Sequence, residues 1–310
     1  MPSYNFTKEA EVYVVYSGNK HKLDISSISF SQTFAQNSYE VKTLHNQKNL
    51  FAGSVINRAN PANFEFTFPA LKDGDFTTIF NLLVDYQGTT NKLRTFDLYI
   101  STKLDVFKVE TAVITNGSFV IERSRPLSLT VSGEASKLSH FGAVGSVTIP
   151  GSAVSRTSNL RYIMNPTVSA TLNSSSIPNV VNATLELQNN IEWNPYTTVH
   201  GALTTTTAAN SMYPSDFTLQ DRVLAGTIAK YVTETKSSGN LALQNWDTSA
   251  PIVFSVGEGS GAAFRGFKVD GNCTYTNRVA SDAVFLENYD WRLIDNPSAL
   301  GSILTYTTGA

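Results

Sequence analysis

Gln36-Asn37-Ser38-Tyr39-Glu40-Val41 returns later in the chain as Gln188-Asn189-Asn190-Ile191-Glu192-Trp193. Both stretches read Gln-Asn, a small polar residue, an apolar residue, Glu, an apolar residue. They lie 188 − 36 = 152 residues apart in a chain of 310. The flanking sequence recurs as well. Thr43-Leu44-His45 is matched by Thr198-Val199-His200, and Asn60-Pro61-Ala62-Asn63-Phe64 by Tyr213-Pro214-Ser215-Asp216-Phe217. A period of this length is too long for a solenoid and has the size of a whole domain. The pattern therefore predicts one fold written twice: a first copy over 1–145, a Gly/Ser/Val-rich linker over 146–160 and a second copy over 161–310.

The residues around the motif read as strands. Glu11 to Tyr16 is β-branched and aromatic, Ile28, Phe30 and Phe34 fall at even positions, and Asn63 to Phe68 alternate strictly. Residues 96–101 and 127–132 form further strands. Residues 109–123 carry Asn116-Gly117, which predicts a hairpin tip there. One helix stands out. Asp75 is placed as its N-cap, and Phe76, Ile79, Phe80, Leu83 and Val84 recur at helical spacing. The second copy repeats the order with strands near 180–187, 190–193, 222–232 and 252–256. Leu241 to Trp246 falls in the helix slot, Asp270-Gly271 is a candidate turn, and a last strand runs from Val284 to Leu293. Two stretches, 43–62 and 194–215, follow no period and are too long for ordinary connections, which marks them as functional loops. The predicted class is mainly β, in two tandem sandwich or barrel units with one short helix each.

Composition narrows the function. Charged residues make up 15% of the chain and the net charge is −2, so no basic field points to nucleic-acid binding. Cys273 is the single cysteine, which excludes an intramolecular disulfide framework. The first ten residues have no apolar signal-peptide core, and no apolar run reaches the ~18 residues of a membrane span. His21, His45, His140 and His200 lack neighbouring ligands at metal spacing. Gly257-Glu258-Gly259-Ser260-Gly261 lacks the Gly-Lys-Ser/Thr ending of a phosphate loop. No catalytic, cofactor or metal site is therefore expected.

One copy, with two strands, a long loop, a strand, one amphipathic helix and further strands, resembles the tail-tube domain of long-tailed bacteriophages. The segment Glu192-Trp193-Asn194-Pro195-Tyr196-Thr197-Thr198-Val199-His200-Gly201-Ala202 is similar to a part of phage major tail proteins. Some tail-tube polypeptides fuse two such domains, and this chain resembles that form. The resemblance implies a structural virion protein of the tail, assembled in the host cytoplasm. Three chains would form a pseudo-sixfold ring, and stacked rings would form a tube. It implies a tape-measure protein inside the tube, terminator and tip proteins at its ends, and double-stranded DNA passing through without specific binding. The long loops would stack ring on ring through Leu50, Phe51, Val55, Ile56, Leu203 and Met212. Alternation sends Glu40, Glu65 and Glu192 to the face opposite their apolar neighbours, which makes them candidates to line the lumen. The alternative is a tandem β-sandwich binding or adhesion module. Aromatic clusters at loop tips would favour it, whereas Trp193, Trp246 and Trp291 fall in predicted regular elements.

The loop assignment makes a direct prediction. Limited proteolysis of the free chain should cut within 43–62 and 195–215, and polymerised material should resist at both places. Equal protection before and after polymerisation would count against a stacking role.

Overall fold

A computed structural model describes residues 9–39, 53–70, 77–87, 92–122, 125–155, 162–164, 166–194, 212–232, 249–281, 284–295 and 300–307. The first half contains β1 (Glu11–Tyr16), β2 (Asn19–Leu23), β3 (Ser27–Ser31), β4 (Phe34–Tyr39), β5 (Gly53–Ala59), β6 (Ala62–Pro69), α1 (Thr77–Val84), β7 (Tyr86–Gln87), β8 (Lys92–Leu93), β9 (Phe96–Ser101), β10 (Asp105–Glu122) and β11 (Ser128–Ala143). After β12 (Ser152–Ala153) come β13 (Thr167–Leu172), β14 (Ser175–Ser176), β15 (Val180–Trp193), β16 (Phe217–Tyr231), β17 (Ala250–Glu258), β18 (Arg265–Ser281), β19 (Phe285–Leu293), a short helix α2 (Leu300–Ile303) and β20 (Leu304–Thr307). The fold is mainly β and its large sheet is open.

Strand pairing follows one order in both halves. Residues 11–143 pair as β2-β1-β9-β10-β11-β6-β3, and residues 167–293 pair as β14-β13-β17-β18-β19-β16-β15, antiparallel throughout. The quoted motif does not mark equivalent positions in that order. The cross-strand row Ile28–Phe66–Val131–Gly117 corresponds to Leu185–Gly226–Trp291–Tyr275, so the offset on this strand is 185 − 28 = 157 rather than 152. The two halves are joined edge to edge. The C-terminal part of β10 pairs with β15 from Asn116↔Gln188 to Glu122↔Asn182.

Two expected turns are strand interior instead. Asn116 and Gly117 lie within β10, and Asp270 and Gly271 lie within β18. Gly117 lies close against α1, and a larger residue there would make Leu83 shift. A Cβ at that position would sit 2.6 Å from Leu83 Cδ2 of α1. At Gly271 a Cβ would meet Asp295 Oδ2 at 2.5 Å. The β17–β18 turn instead uses the Gly-rich stretch, where Gly259 and Gly261 have φ of +83° and +56°. The stretch expected to be wholly irregular after residue 43 contains β5, paired with β4. The Leu241–Trp246 helix slot lies outside the described residues.

The core lies on one face of these strands. Phe64, Phe66 and Phe68 of β6 alternate inward, as their spacing predicts, and meet Leu129 and Val131 of β11 together with Ile79, Phe80 and Leu83 of α1. Val12 and Val14 of β1, and Leu98 and Ile100 of β9, close the far side. β10 serves both layers. It bulges after Val109, where Thr111 has a φ of +51°, and again after Ile114. Such bulges bend a strand and re-aim its side chains. The cluster continues through the junction. The Phe119 and Phe267 rings lie 4.4 Å apart, and Ile121, Ala183, Leu185 and Leu187 are buried beside them. Within the interhalf segment, β12 runs parallel to β2, and Ile163 N–H donates to Ala70 O at 2.9 Å.

Phe119→Ala should therefore cost ~3–5 kcal/mol of unfolding free energy, the range for deleting a buried aromatic side chain. Urea denaturation measures it. A loss below ~1 kcal/mol would show that the junction core is not tightly packed.

Candidate functional surface

The β10–β15 junction makes a continuous run of eight strands, β3-β6-β11-β10-β15-β16-β19-β18. Because side chains alternate, one face of this run belongs to the core and the other is polar. A single row crosses all eight strands: Ser27, Thr67, Thr130, Ser118, Glu186, Ala225, Arg292, Thr274. Hydroxyl pairs bind neighbouring strands on this face, Thr67 with Thr130 at 2.9 Å and Thr184 with Thr227 at 2.8 Å. The helix α1, strands β1 and β9, and the apolar cluster all lie against the opposite face. Two shallow concavities open on the polar face at corresponding places. One lies among Ser29, Glu65, Ser132 and Glu134, and the other among Glu186, Thr276, Arg278, Asp290 and Arg292.

The charge of this face is mainly acidic. Among the described residues of the paired rows it carries Glu65, Glu134, Glu186, Glu192, Asp221 and Asp290 against Arg278 and Arg292. Arg278 is tied to Asp290, Nε to Oδ2, at 3.2 Å. Glu186 accepts from Gln188 Nε2 at 2.9 Å, and Glu192 accepts from Gln220 Nε2 at 2.7 Å.

Residues 2–301 match the profile of the bacteriophage baseplate tube protein family. The chain belongs to that family. It is a structural component of the phage tail apparatus. No curated protein matches the chain.

In this tube protein, Glu65 and Glu192 are exposed on the polar face, as alternation predicts. Glu40, Leu50, Phe51 and Leu203 lie outside the described residues. Val55 and Ile56 are placed on β5, opposite Asn37 and Gln36. Met212 is half-buried at the base of the second long loop, and its carbonyl accepts from Ala59 N–H at 2.9 Å. Next to it Tyr213 meets the Phe34 ring, with centroids 6.4 Å apart, and lies under Lys137 Nζ at 5.0 Å. Asp216 pairs with Lys92, whose ammonium holds that carboxyl below the usual range. The bases of both long loops thus emerge at one end of the molecule, fastened to each other.

The sequence reading missed what the second motif does. Asn189 is buried, and its Nδ2 donates to Leu83 O at 3.2 Å and to Ile114 O at 3.1 Å. Its Oδ1 accepts from Arg222 Nε at 2.7 Å, while Arg222 Nη2 donates to Leu83 O at 3.2 Å and Val84 O at 2.9 Å. These are the orphan carbonyls that end α1. Two side chains of the second half therefore cap the helix of the first. Trp193 Nε1 adds a bond to Glu134 Oε2 at 2.7 Å. Glu186 was also missed, although Leu185-Glu186-Leu187 has the same apolar-Glu-apolar pattern that flagged Glu65.

Asn189→Ala should destabilise the chain by ~1–3 kcal/mol, because it strips buried carbonyls of their donor. A double-mutant cycle with Arg222→Ala should give a coupling of at least ~0.5 kcal/mol. Strict additivity would mean that the two side chains do not act as one cap.

Proposed function

We propose that the polar face of the eight-stranded sheet lines the bore of a tube, and that each chain supplies two copies of one tube unit to a ring of three. The observation that carries this reading is the one-sidedness of the sheet. All of the bulk described above packs on its apolar face. If the sheet curls until its ends meet those of further copies, the bulky side must be outermost and the polar side inward. Closure also removes open sheet edges, which otherwise template uncontrolled association.

The geometry is consistent with a wide conduit. Three chains of eight strands give 24. At ~4.8 Å between strands and a tilt of ~40°, such a barrel measures roughly 48 Å across its backbone. Side chains narrow this, and the remaining bore passes a nucleic-acid duplex. Its chemistry suits passage without capture. Non-specific DNA affinity comes largely from Lys and Arg on phosphates, and here carboxylates outnumber arginines. The tube would enclose a tape-measure protein before ejection and end in terminator and tip proteins. The hydrogen bond from Ala59 N–H to Met212 O, which joins the bases of the two long loops, supports a shared role for them in stacking on the next ring. In this reading the chain is a conduit for genome delivery, assembled in the host cytoplasm.

Electron microscopy of polymerised protein tests the ring. Three chains with pseudo-sixfold appearance are expected, and a ring of six whole chains would sink the proposal. The bore is tested by Glu65→Lys combined with Glu192→Lys. Tails carrying both should assemble yet eject DNA more slowly, most at low ionic strength where screening is weakest. Unchanged ejection kinetics at low salt would remove the lumen assignment.

A further inference from the structure

The internal junction has a counterpart that the described strands leave open. On β10, the segment beyond Asn116 pairs with β11 on one edge and with β15 on the other. On β18, the corresponding segment pairs with β19, while the pairing with β17 stops at Cys273 and that with β20 covers only Gly266–Val269. At the other end of the eight strands, β3 pairs with β6 alone among the described strands, where its counterpart β15 has two neighbours. Resting on the ring reading above, we propose that β18 from Thr274 to Ser281 pairs antiparallel with β3 of a second copy of this chain, in the register of the β10–β15 junction.

The register follows from the rows. The β1–β2 and β13–β14 turns align Tyr16 with Leu172, an offset of 156, and Ile100 with Val256 at the same offset. Their partners, Phe107 and Phe267, differ by 160. The two bulges of β10 each consume one residue, which leaves 158 for the segment that begins at Asn116. On β3 the offset to β15 is 157. The internal pairs Gly117↔Leu187, Ser118↔Glu186 and Phe119↔Leu185 therefore become Tyr275, Thr276 and Asn277 opposite Phe30, Ser29 and Ile28 of the partner subunit.

Burial supplies an independent sign. Ile121 in the internal junction is 3% exposed, whereas Val279, its counterpart, is 47% exposed. Leu185 and Leu187 are each 1% exposed, whereas Ile28 and Phe30 remain half-buried. Val284 and Phe285, at the same end of β19, are 51% and 60% exposed. Among the described residues, apolar positions that the first junction covers are more exposed at both outer edges. A second copy supplies the matching edge to each.

The test is disulfide formation in the full chain carrying Ser29→Cys and Thr276→Cys. Within one chain these positions are separated by seven strand spacings, roughly 34 Å, so a bond between them must join two chains. Cys273 is buried and its thiol is pushed up to about 12 by burial, so it does not compete. Mild oxidation of assembled rings should yield covalent trimers on a denaturing gel. The mismatched pair Ser31→Cys with Thr276→Cys should link at least tenfold more slowly. Rings that form normally but stay uncrosslinked, or that crosslink equally in both registers, overturn this pairing alone. A wild-type chain that stays monomeric at every concentration removes the ring reading and the pairing with it. Val279→Asp gives a second readout: an unchanged circular dichroism spectrum with ring yield reduced at least tenfold. Full ring yield from that variant also overturns the pairing.

Discussion

The antiparallel pairing of Asn116–Glu122 with Asn182–Gln188 sets the shape of this molecule. Without it, each half would be a small sandwich with a free strand at its edge. With it, the sheet continues from one half into the other, and the apolar core is shared on one side. Phe119 and Ile121 then meet Ala183, Leu185 and Leu187, and the Phe267 ring joins the same cluster. A net gain of ~1 kcal/mol per backbone hydrogen bond would not hold the seam alone. The buried side chains, at ~1.5–3 kcal/mol each, carry the larger share. Asn189 and Arg222 then fix the angle between the halves by holding the end of α1, a contact with directional demands that apolar packing lacks.

Strands whose cause is local were legible in the residues. Glu11–Tyr16, Ala62–Pro69 and Phe96–Ser101 fall where β-branching and alternation put them, and the apolar spacing of Ile79, Phe80 and Leu83 marks α1. The errors came from residues whose cause is tertiary. Asn-Gly and Asp-Gly favour turns in isolation, yet Gly117 sits in a strand paired on both edges, to Val131 and to Leu187, with Leu83 against its bare Cα. A pattern search has no access to that contact. The self-match misled in a related way. It pointed to a recurring order of strands, but bulges and loops of different length shift the true correspondence from 152 to 157 on β15.

The functional face was legible only in part. Alternation placed Glu65 and Glu192 on the polar side, because a residue between two buried neighbours has one direction left to it. Which side is inward is a different question, and no period answers it. It depends on where the helix and the outer strands pack. Asn189 was unreadable for the same reason. An amide in a run of Asn and Gln looks like surface until the carbonyls of Leu83 and Ile114 are placed beside it. The low charge content, by contrast, has a simple physical reading. If the polar face lines a bore as proposed, its Ser, Thr and Asn need few ions, and seams between copies would tolerate few.

Two tube units in one chain, as proposed, also bear on the energetics of assembly. A ring of six separate units needs six seams formed between molecules. In the proposed ring of three, every second seam is the β10–β15 junction, formed once during folding. Each association between molecules loses translational and rotational freedom, at an estimated cost of at least ~4 kcal/mol. The fused chain meets that cost for three associations instead of six. In the proposed ring, the internal seam held by Asn189 would also fix β3 and β18 relative to each other, so less ordering would remain when copies meet. The edges that stay exposed, β3 and the end of β18, are short and flanked by Ser, Thr and Arg rather than by long apolar runs. In the proposed ring, short polar-flanked edges limit uncontrolled strand addition without blocking the pairing that would close it.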